Sequence, residues 1–386
     1  MKLSELKKVV IYSHNSGGTG NYDDVLFEYL KDRNVKELIK VDFPFDPRFV
    51  KTIRFKKIIS NKEVLKFESI IKFNTPMSLS YLKDVLIGLI YGFLFLKNTD
   101  LFVGTNNLQS SLGVLFKKLG YVKKVNHVII DYSPIRFKNK FFNFVYCWLD
   151  QFALYNSDTV FSLNEEMILA RERDRGINLK KVNYFITPIG NNSGKIKDSD
   201  FKNYDKDKIV YFGDILKSKG IGLFIPIIKR LIKKGHKNFK FLVIGGGEID
   251  FLKNEIKKES LEKYFEITGR IDSHLDIEKL LLGSSIALAP YEIEDKSSIS
   301  YYADPGKVKN YLGCGLPIVI TPVPPIYKTL QKEKAGVVVD YNPDKISDAI
   351  IEIHKNLKEY RENAKKLGKY YDWQEIFDRY FQEKLK

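Results

Sequence analysis

Short apolar runs bounded by turn residues alternate with helix-length stretches in two successive parts of this 386-residue chain. In the first part VVIYS (9–13), ELIKVDF, DLFVG, VNHVIID and DTVFSL have the character of buried strands, each spaced widely enough for a crossover helix. The stretch DDVLFEYLKDR (23–33) has helical periodicity with acidic residues in its first turn. Residues 191–208, NNSGKIKDSDFKNYDKDK, are polar and charged and read as an interdomain linker. The pattern then restarts with KIVYFGDI, FKFLVIGGG, YFEITGRI, SIALAPY, LPIVIT and AGVVVDY. Two series of one kind predict two doubly wound α/β domains, each with a parallel sheet covered on both faces, facing one another across a cleft. A chain of this length also exceeds what one hydrophobic core supports.

The composition is that of a folded globular protein, with 44% hydrophobic, 13% aromatic and 29% charged residues. Cys147 and Cys314 lie far apart and belong to no Cys/His cluster, which argues against a disulfide framework and a zinc site. The start of the sequence passes from a short basic lead straight into a strand, with no secretory signal, so a cytoplasmic location is expected. The net charge is +16, and between Arg48 and Lys140 there are 17 Lys and Arg against 5 Asp and Glu. That excess is either a solvated lysine bias or an anion-binding surface. A nucleic-acid module or a long basic helix is absent from the sequence, so nucleic acid is not the expected partner. The apolar run Val85 to Leu96 would span about 18 Å as a helix, against a hydrocarbon core of roughly 30 Å, and a buried helix is expected there.

Ligands of open parallel sheets bind beyond the carboxyl ends of the strands, where loops and helix N-termini present unpaired N–H groups. Gly17, Gly18 and Gly20 follow the first strand, but without the G-x-G-x-x-G spacing of a dinucleotide-binding oxidoreductase. His14 precedes that loop, and Asp131 ends the VNHVII strand; both are candidates for the acceptor side or the donor sugar. His127, inside a strand, reads as a core histidine. In the second part Gly213 and Lys219 lie in the loop GDILKSKG, and Pro305 and Gly306 form a turn that puts Lys307 at the start of a helix. A lysine on a helix N-terminus is an anion site. Asn310, one turn on, could hydrogen-bond a ribose.

The GDILKSKG loop, the LVIGGG, ITGRI and APY strands and DPGKVKNYLGCGLPIV, in that order, resemble the donor domain of glycosyltransferase family 4 and its relatives among the group 1 glycosyltransferases. The likeness covers roughly Lys208 to Val339; the first half is similar only loosely, through its glycine loop and the DYSPIRF and SDTVFSLNEEM segments. It implies the GT-B fold: an acceptor-binding Rossmann-like domain over 1–190, a nucleotide-sugar donor domain over 191–366, and a closing helix over 367–386 that crosses back to the first domain. It also implies a retaining, metal-independent transfer from a nucleotide diphosphate sugar, UDP-sugar by default, to a glycan or polyprenyl-linked acceptor in polysaccharide or glycoconjugate synthesis. No cofactor is implied.

Carried over by residue, the resemblance makes Lys219 and Lys307 the catalytic clamp on the diphosphate; Asp131, from its place at the carboxyl end of a strand, is the catalytic candidate of the first domain. Arg270 and Ile271 would receive the base, and Tyr291, Asp304, Pro305, Gly306, Asn310, Gly17, Gly18 and Gly213 would complete the donor site, with His14 toward the acceptor. The chain departs from the family where Asp214 replaces the loop arginine, Asn310 the ribose-binding carboxylate and Tyr302 the earlier glutamate of the E-x7-E pair. A catalytically inactive nucleotide-sugar-binding homologue is the alternative. The basic stretch would make the protein peripheral to the inner face of an anionic membrane.

Overall fold

The computed structural model describes residues 3–15, 21–44, 50–70, 72–73, 77–292 and 299–384. The chain forms two units, Met1–Pro188 with Phe377–Lys386, and Ile189–Ile376.

In the first unit the strands are β1 (Lys8–Asn15), β2 (Glu37–Pro44), β3 (Arg54–Ile59), β4 (Lys62–Glu68), β5 (Thr99–Thr105), β6 (Val122–Ile129), β7 (Thr159–Ser162) and β8 (Tyr184–Ile186). Its helices are α1 (Tyr22–Asp32), α2 (Met77–Phe95), α3 (Asn107–Lys118), α4 (Lys140–Asn156) and α5 (Glu165–Arg175). The sheet order is β4-β3-β2-β1-β5-β6-β7-β8. Val9, Val10, Ile11 and Tyr12 of the central strand are fully buried, because helices cover both faces.

The expected all-parallel sheet needs one correction. Strands β3 and β4 are antiparallel additions at the edge, joined at Ser60-Asn61 with φ of 47° and 64°. Positive φ at both central residues is the turn that matches strand twist, and no glycine marks it in the sequence. Strand β4 is exposed along its length, and its lysines suit an unpaired edge.

Helix α2 corrects a second expectation. One face is buried: a Cβ on Gly92 would lie 2.0 Å from a ring carbon of Phe116, and one on Gly88 2.5 Å from Leu112. Phe116 is itself fully buried and cannot swing away. The opposite face, with Leu82, Leu86, Ile90 and Leu94, is open. Among the described residues no helix is long and apolar enough to cross a membrane. Gly92→Val should destabilise the protein by about 1–3 kcal/mol, because overpacking outweighs the better helix propensity of a side chain. Urea unfolding checks this; an unchanged midpoint would show that α3 can retreat.

In the second unit the strands are β9 (Lys208–Phe212), β10 (Lys240–Ile244), β11 (Phe265–Gly269), β12 (Ile286–Ala289), β13 (Ile318–Ile320) and β14 (Gly336–Val338), all parallel, in the order β11-β10-β9-β12-β13-β14. The helices are α6 (Phe224–Lys233), α7 (Ile249–Lys258), α8 (His274–Leu282), α9 (Ile299–Tyr302), α10 (Gly306–Gly313), α11 (Tyr327–Lys332), α12 (Pro343–Lys355) and α13 (Leu357–Tyr370), while α14 (Trp373–Lys384) starts in this unit and ends in the first. Asn342 caps α12 by accepting from the Asp344 and Lys345 amides.

The segment expected to be a linker is not one at its start. Asn191 and Ser193 are buried, Asn191 donates to the Gly368 carbonyl at 3.0 Å, and the Gly194 amide donates to Asp372 at 2.7 Å. Polar residues are tolerated there because each finds a partner. Within α14 the chain passes from one core to the other. Phe377 packs against Tyr22 and Tyr29, and Tyr380 against Phe161 at 4.2 Å, all in the first unit.

Candidate functional site

A doubly wound sheet opens a crevice where its strand order reverses. In the second unit that point lies between β9 and β12, which carry Gly213 and Tyr291 just beyond their carboxyl ends. The backbone is close-packed here: a Cβ on Gly245 would lie 1.9 Å from the Gly213 carbonyl oxygen, and Gly245 has a φ of 153°. Only glycine fits.

Helix α10 starts at this crevice, with Pro305 as its N-cap residue and Gly306 and Lys307 as the first helical positions. Their N–H groups precede the intrahelical ladder and are available to an anion. The Lys307 ammonium lies 4.6 Å from the ring centres of both Tyr211 and Tyr291, and 3.9 Å from where a Cβ on Gly213 would stand. Burial, reinforced by the charge of Lys219 and opposed by Asp214, pushes its pKa down to about 7. Lys219 reaches Ser300 Oγ at 3.5 Å. Tyr211, which the sequence reading missed, donates its hydroxyl to the Asp214 carbonyl at 2.8 Å and so braces the loop as well as caging Lys307.

The side chain of Asp304 is placed differently from a ligand-facing carboxylate. It is buried, accepts from the Ile189 amide at 2.7 Å, and pairs with Lys309 at 2.9 Å, while Lys309 sits 3.7 Å from the Tyr371 ring centre. Its work is to hold the turn from which Pro305 and Gly306 present their backbone. Arg270 is exposed and paired with Asp272 at 2.9 Å, and Ile271 packs partly buried against the core. Asn310 is half-buried in a small pocket shared with His274, Glu278 and Cys314. Glu278 was also missed: burial, with the charge of Asp200, raises its pKa. Its position one turn into the helix after the ITGRI strand was the available signal.

In the first unit the order reverses between β1 and β5. His14 is the last residue but one of β1, with Nε2 at 2.8 Å from Asp84 and Nδ1 at 3.2 Å from the Asn106 amide. Lys83 also pairs with Asp84, at 2.9 Å. Asp131 lies beyond β6, where its carboxylate meets Arg136 at 2.8 Å. The ring of Tyr81 contacts His14 on one side and Phe137 on the other, linking the two candidate positions. His127 is a core residue as expected, bonded to Ser110 at 2.7 Å and pushed down to about 4 by burial, which keeps it neutral. Gly17 and Gly18 lie outside the described residues. Among the described residues, no group of three or more His, Cys, Asp or Glu is arranged to hold a metal ion.

The profile of the family described as Glycosyl transferases group 1 matches residues 206–356, the part of the chain that contains Lys219, Lys307 and Asn310. Residues 206–356 match the group 1 glycosyltransferase family. Solved structures extend the likeness to the whole chain. Sucrose-phosphate synthase from Thermosynechococcus elongatus superposes with a TM-score of 0.69 at 16% identity, covering 97% of this chain and 98% of that one. The Anabaena protein HepE in complex with UDP gives 0.67 at 14% over 97% and 98%. A glycosyltransferase from Rickettsia africae gives 0.68 at 15% over 98% and 99%. The matched residues thus lie within a GT-B fold. No curated protein matches the chain by sequence.

Proposed function

We propose that this glycosyltransferase moves a sugar from a UDP-sugar to a glycan or polyprenyl-linked acceptor, with retention of configuration and without a metal ion, in cell-surface polysaccharide or glycoconjugate synthesis. The observation that carries the reading is Lys307, held between Tyr211 and Tyr291 at the crevice of a group 1 domain with Lys219 beside it. Two cations there can balance the charge that develops on the departing diphosphate. Lys307 reaches Gly213 from α10, so it can supply the charge absent from the loop, where Asp214 replaces the arginine.

The donor sits on Gly213, Tyr291 and the Pro305-Gly306 backbone, with the base against Arg270 and Ile271 and the ribose at Asn310. Glu278 lines the same pocket as Asn310 and offers a carboxylate on the neighbouring helix. The first unit receives the acceptor near His14 and Asp131. UDP as the nucleotide is supported by HepE, whose structures include complexes with UDP and with UDP-glucose. For retention, the leaving phosphate oxygen takes the acceptor's proton on the face from which it departs. Incubation of the purified protein with UDP-sugars, with NMR of the product anomer and an EDTA control, tests this. Donor binding without transfer or hydrolysis would favour the inactive homologue, which Asp214 and Asn310 keep as a second reading.

The low pKa of Lys307 gives a further expected result. In the free site the lysine is half neutral near pH 7, and a bound diphosphate restores its proton. UDP binding should therefore take up a proton above pH 7 and weaken by about tenfold between pH 7 and pH 9, a range in which the terminal phosphate stays ionised. Calorimetry in buffers of different ionisation enthalpy measures that uptake; a Kd constant across the range excludes it.

A further inference from the structure

From Val85 to Phe95 helix α2 is apolar on every side, yet only the face carrying Gly88 and Gly92 is covered, by α3 and by Phe55 of β3. Leu82, Leu86, Ile90 and Leu94 recur every four residues on the other face, and each is more than half exposed. Helix α4 repeats the pattern with Phe141, Phe144 and Trp148, also more than half exposed. The two helices flank α3. Phe93 of α2 meets Phe116 at 5.2 Å, while Asn107 donates to the Tyr146 carbonyl of α4 at 3.1 Å and Lys118 lies 5.2 Å from the Phe152 ring. With Leu115 of α3, also exposed, three neighbouring helices open apolar side chains to the outside of one layer.

The charge of this layer is mainly positive. Residues 77–156, from the start of α2 to the end of α4, hold nine Lys and Arg and four Asp. All four carboxylates are already paired: Asp84 with His14 and Lys83, Asp100 with Lys123, Asp131 with Arg136, and Asp150 with Arg171 and Arg175. Lys97, Lys118, Lys138 and Lys140 make no ion pair among the described residues. We propose that this α2–α4 face docks on an anionic lipid bilayer, with the leucine and aromatic side chains entering the headgroup boundary and the lysines meeting lipid phosphates. An apolar face with a rim of unpaired cations fits that surface. A second copy of the chain does not, since it would set lysine against lysine. The stripe starts two residues from Asp84, which holds His14, so docking would place the carboxyl end of β1 beside the membrane. That a lipid-borne acceptor is met there rests on the transferase reading; the docking does not.

The test uses the full-length chain and vesicles of phosphatidylcholine alone or with about one third phosphatidylglycerol. Trp148 and Trp373 are the two tryptophans, and Trp373 is buried, so a change in emission on binding reports on Trp148. Flotation with anionic vesicles, a blue shift and quenching by brominated acyl chains are expected. L86E/I90E/L94E, at open positions that leave the core intact, should weaken vesicle binding by at least about tenfold, with unchanged melting and unchanged UDP affinity. Wild-type protein that ignores anionic vesicles overturns the proposal. So does a triple variant that binds as well as wild type, or a self-association that the triple variant abolishes. UDP affinity, measured in parallel, tests the donor site separately.

Discussion

Lys307→Ala should lower kcat by about 10²–10³ and leave the protein no less stable, the loss expected when one preorganised charge is taken from a developing anion. The stability half of that statement follows from the surroundings of the ammonium. Burial and the charge of Lys219 both disfavour it in the free protein, with Asp214 as the opposing influence, so its removal relieves a cost. The rings of Tyr211 and Tyr291 return part of that cost by facing the cation. A structural lysine would behave in the opposite way, with truncation lowering the melting temperature. Lys219→Ala should slow transfer as well and, by removing a neighbouring charge, raise the pKa of Lys307. The pH dependence of UDP binding should then move to higher pH. Steady-state kinetics and differential scanning calorimetry on both variants separate the two effects. Wild-type rates in both would end the clamp assignment.

Asp150→Asn should cost about 3–5 kcal/mol of stability, the range for stranding one side of a buried ion pair. Arg171 and Asp150 are each 2% exposed, joined through Nε at 2.9 Å and Nη2 at 3.2 Å, and Arg175 adds a third bond at 2.6 Å. The asparagine would leave two guanidinium groups in the core facing a neutral amide. The loop beyond β6 depends on them, because Arg171 also donates to the Asp131 carbonyl and Arg175 to that of Ser133, and both stack on Tyr132. Burial alone would raise the Asp150 carboxyl, but Arg171 and Arg175 pull it below its usual range. A folded-state pKa below the unfolded one gives stability that is complete above the unfolded pKa, near 4, and is lost as pH falls through the folded value. The variant should therefore lose part of the acid dependence of unfolding along with its stability. Urea unfolding at pH 7 and pH 3 checks both, and a variant as stable as wild type at pH 7 would show that the guanidinium groups reach solvent.

Much of the second unit was legible because its chemistry is local. A glycine at the end of a strand, a Pro-Gly turn and a lysine at a helix start announce themselves over a few residues, and Gly213, Pro305, Gly306 and Lys307 stand together as that reading expected. Asp304 was legible as a position and not as a role. Its partners Ile189 and Lys309 reach it from different elements, so that only the fold shows that the carboxylate faces inward. Glu278 lies beside Asn310 and Tyr211 beside Lys307 through packing, with only the neighbouring ITGRI and GDILKSKG segments as signals, and the Ser60-Asn61 hairpin lacked the glycine that would have marked it.

The sequence by itself determined the two α/β units, because the period of apolar residues, the strand lengths and the crossover spacings are properties of short windows and depend on backbone geometry alone. It also offered the candidate anion site at Lys307, since a helix N-terminus with a turn and a cation is legible over a few residues. Tertiary structure decided which charges remain available. Asp131 is answered by Arg136, Asp84 by His14 and Lys83, and Asp304 by Lys309, while Lys307 is left between two rings. It also decided that the apolar helix α2 is covered on one side only. The covering of α2 and the pair of His14 with Asp84 join residues far apart in the chain, while Asp131 with Arg136 and Asp304 with Lys309 are five residues apart and meet only because the fold sets the conformation between them.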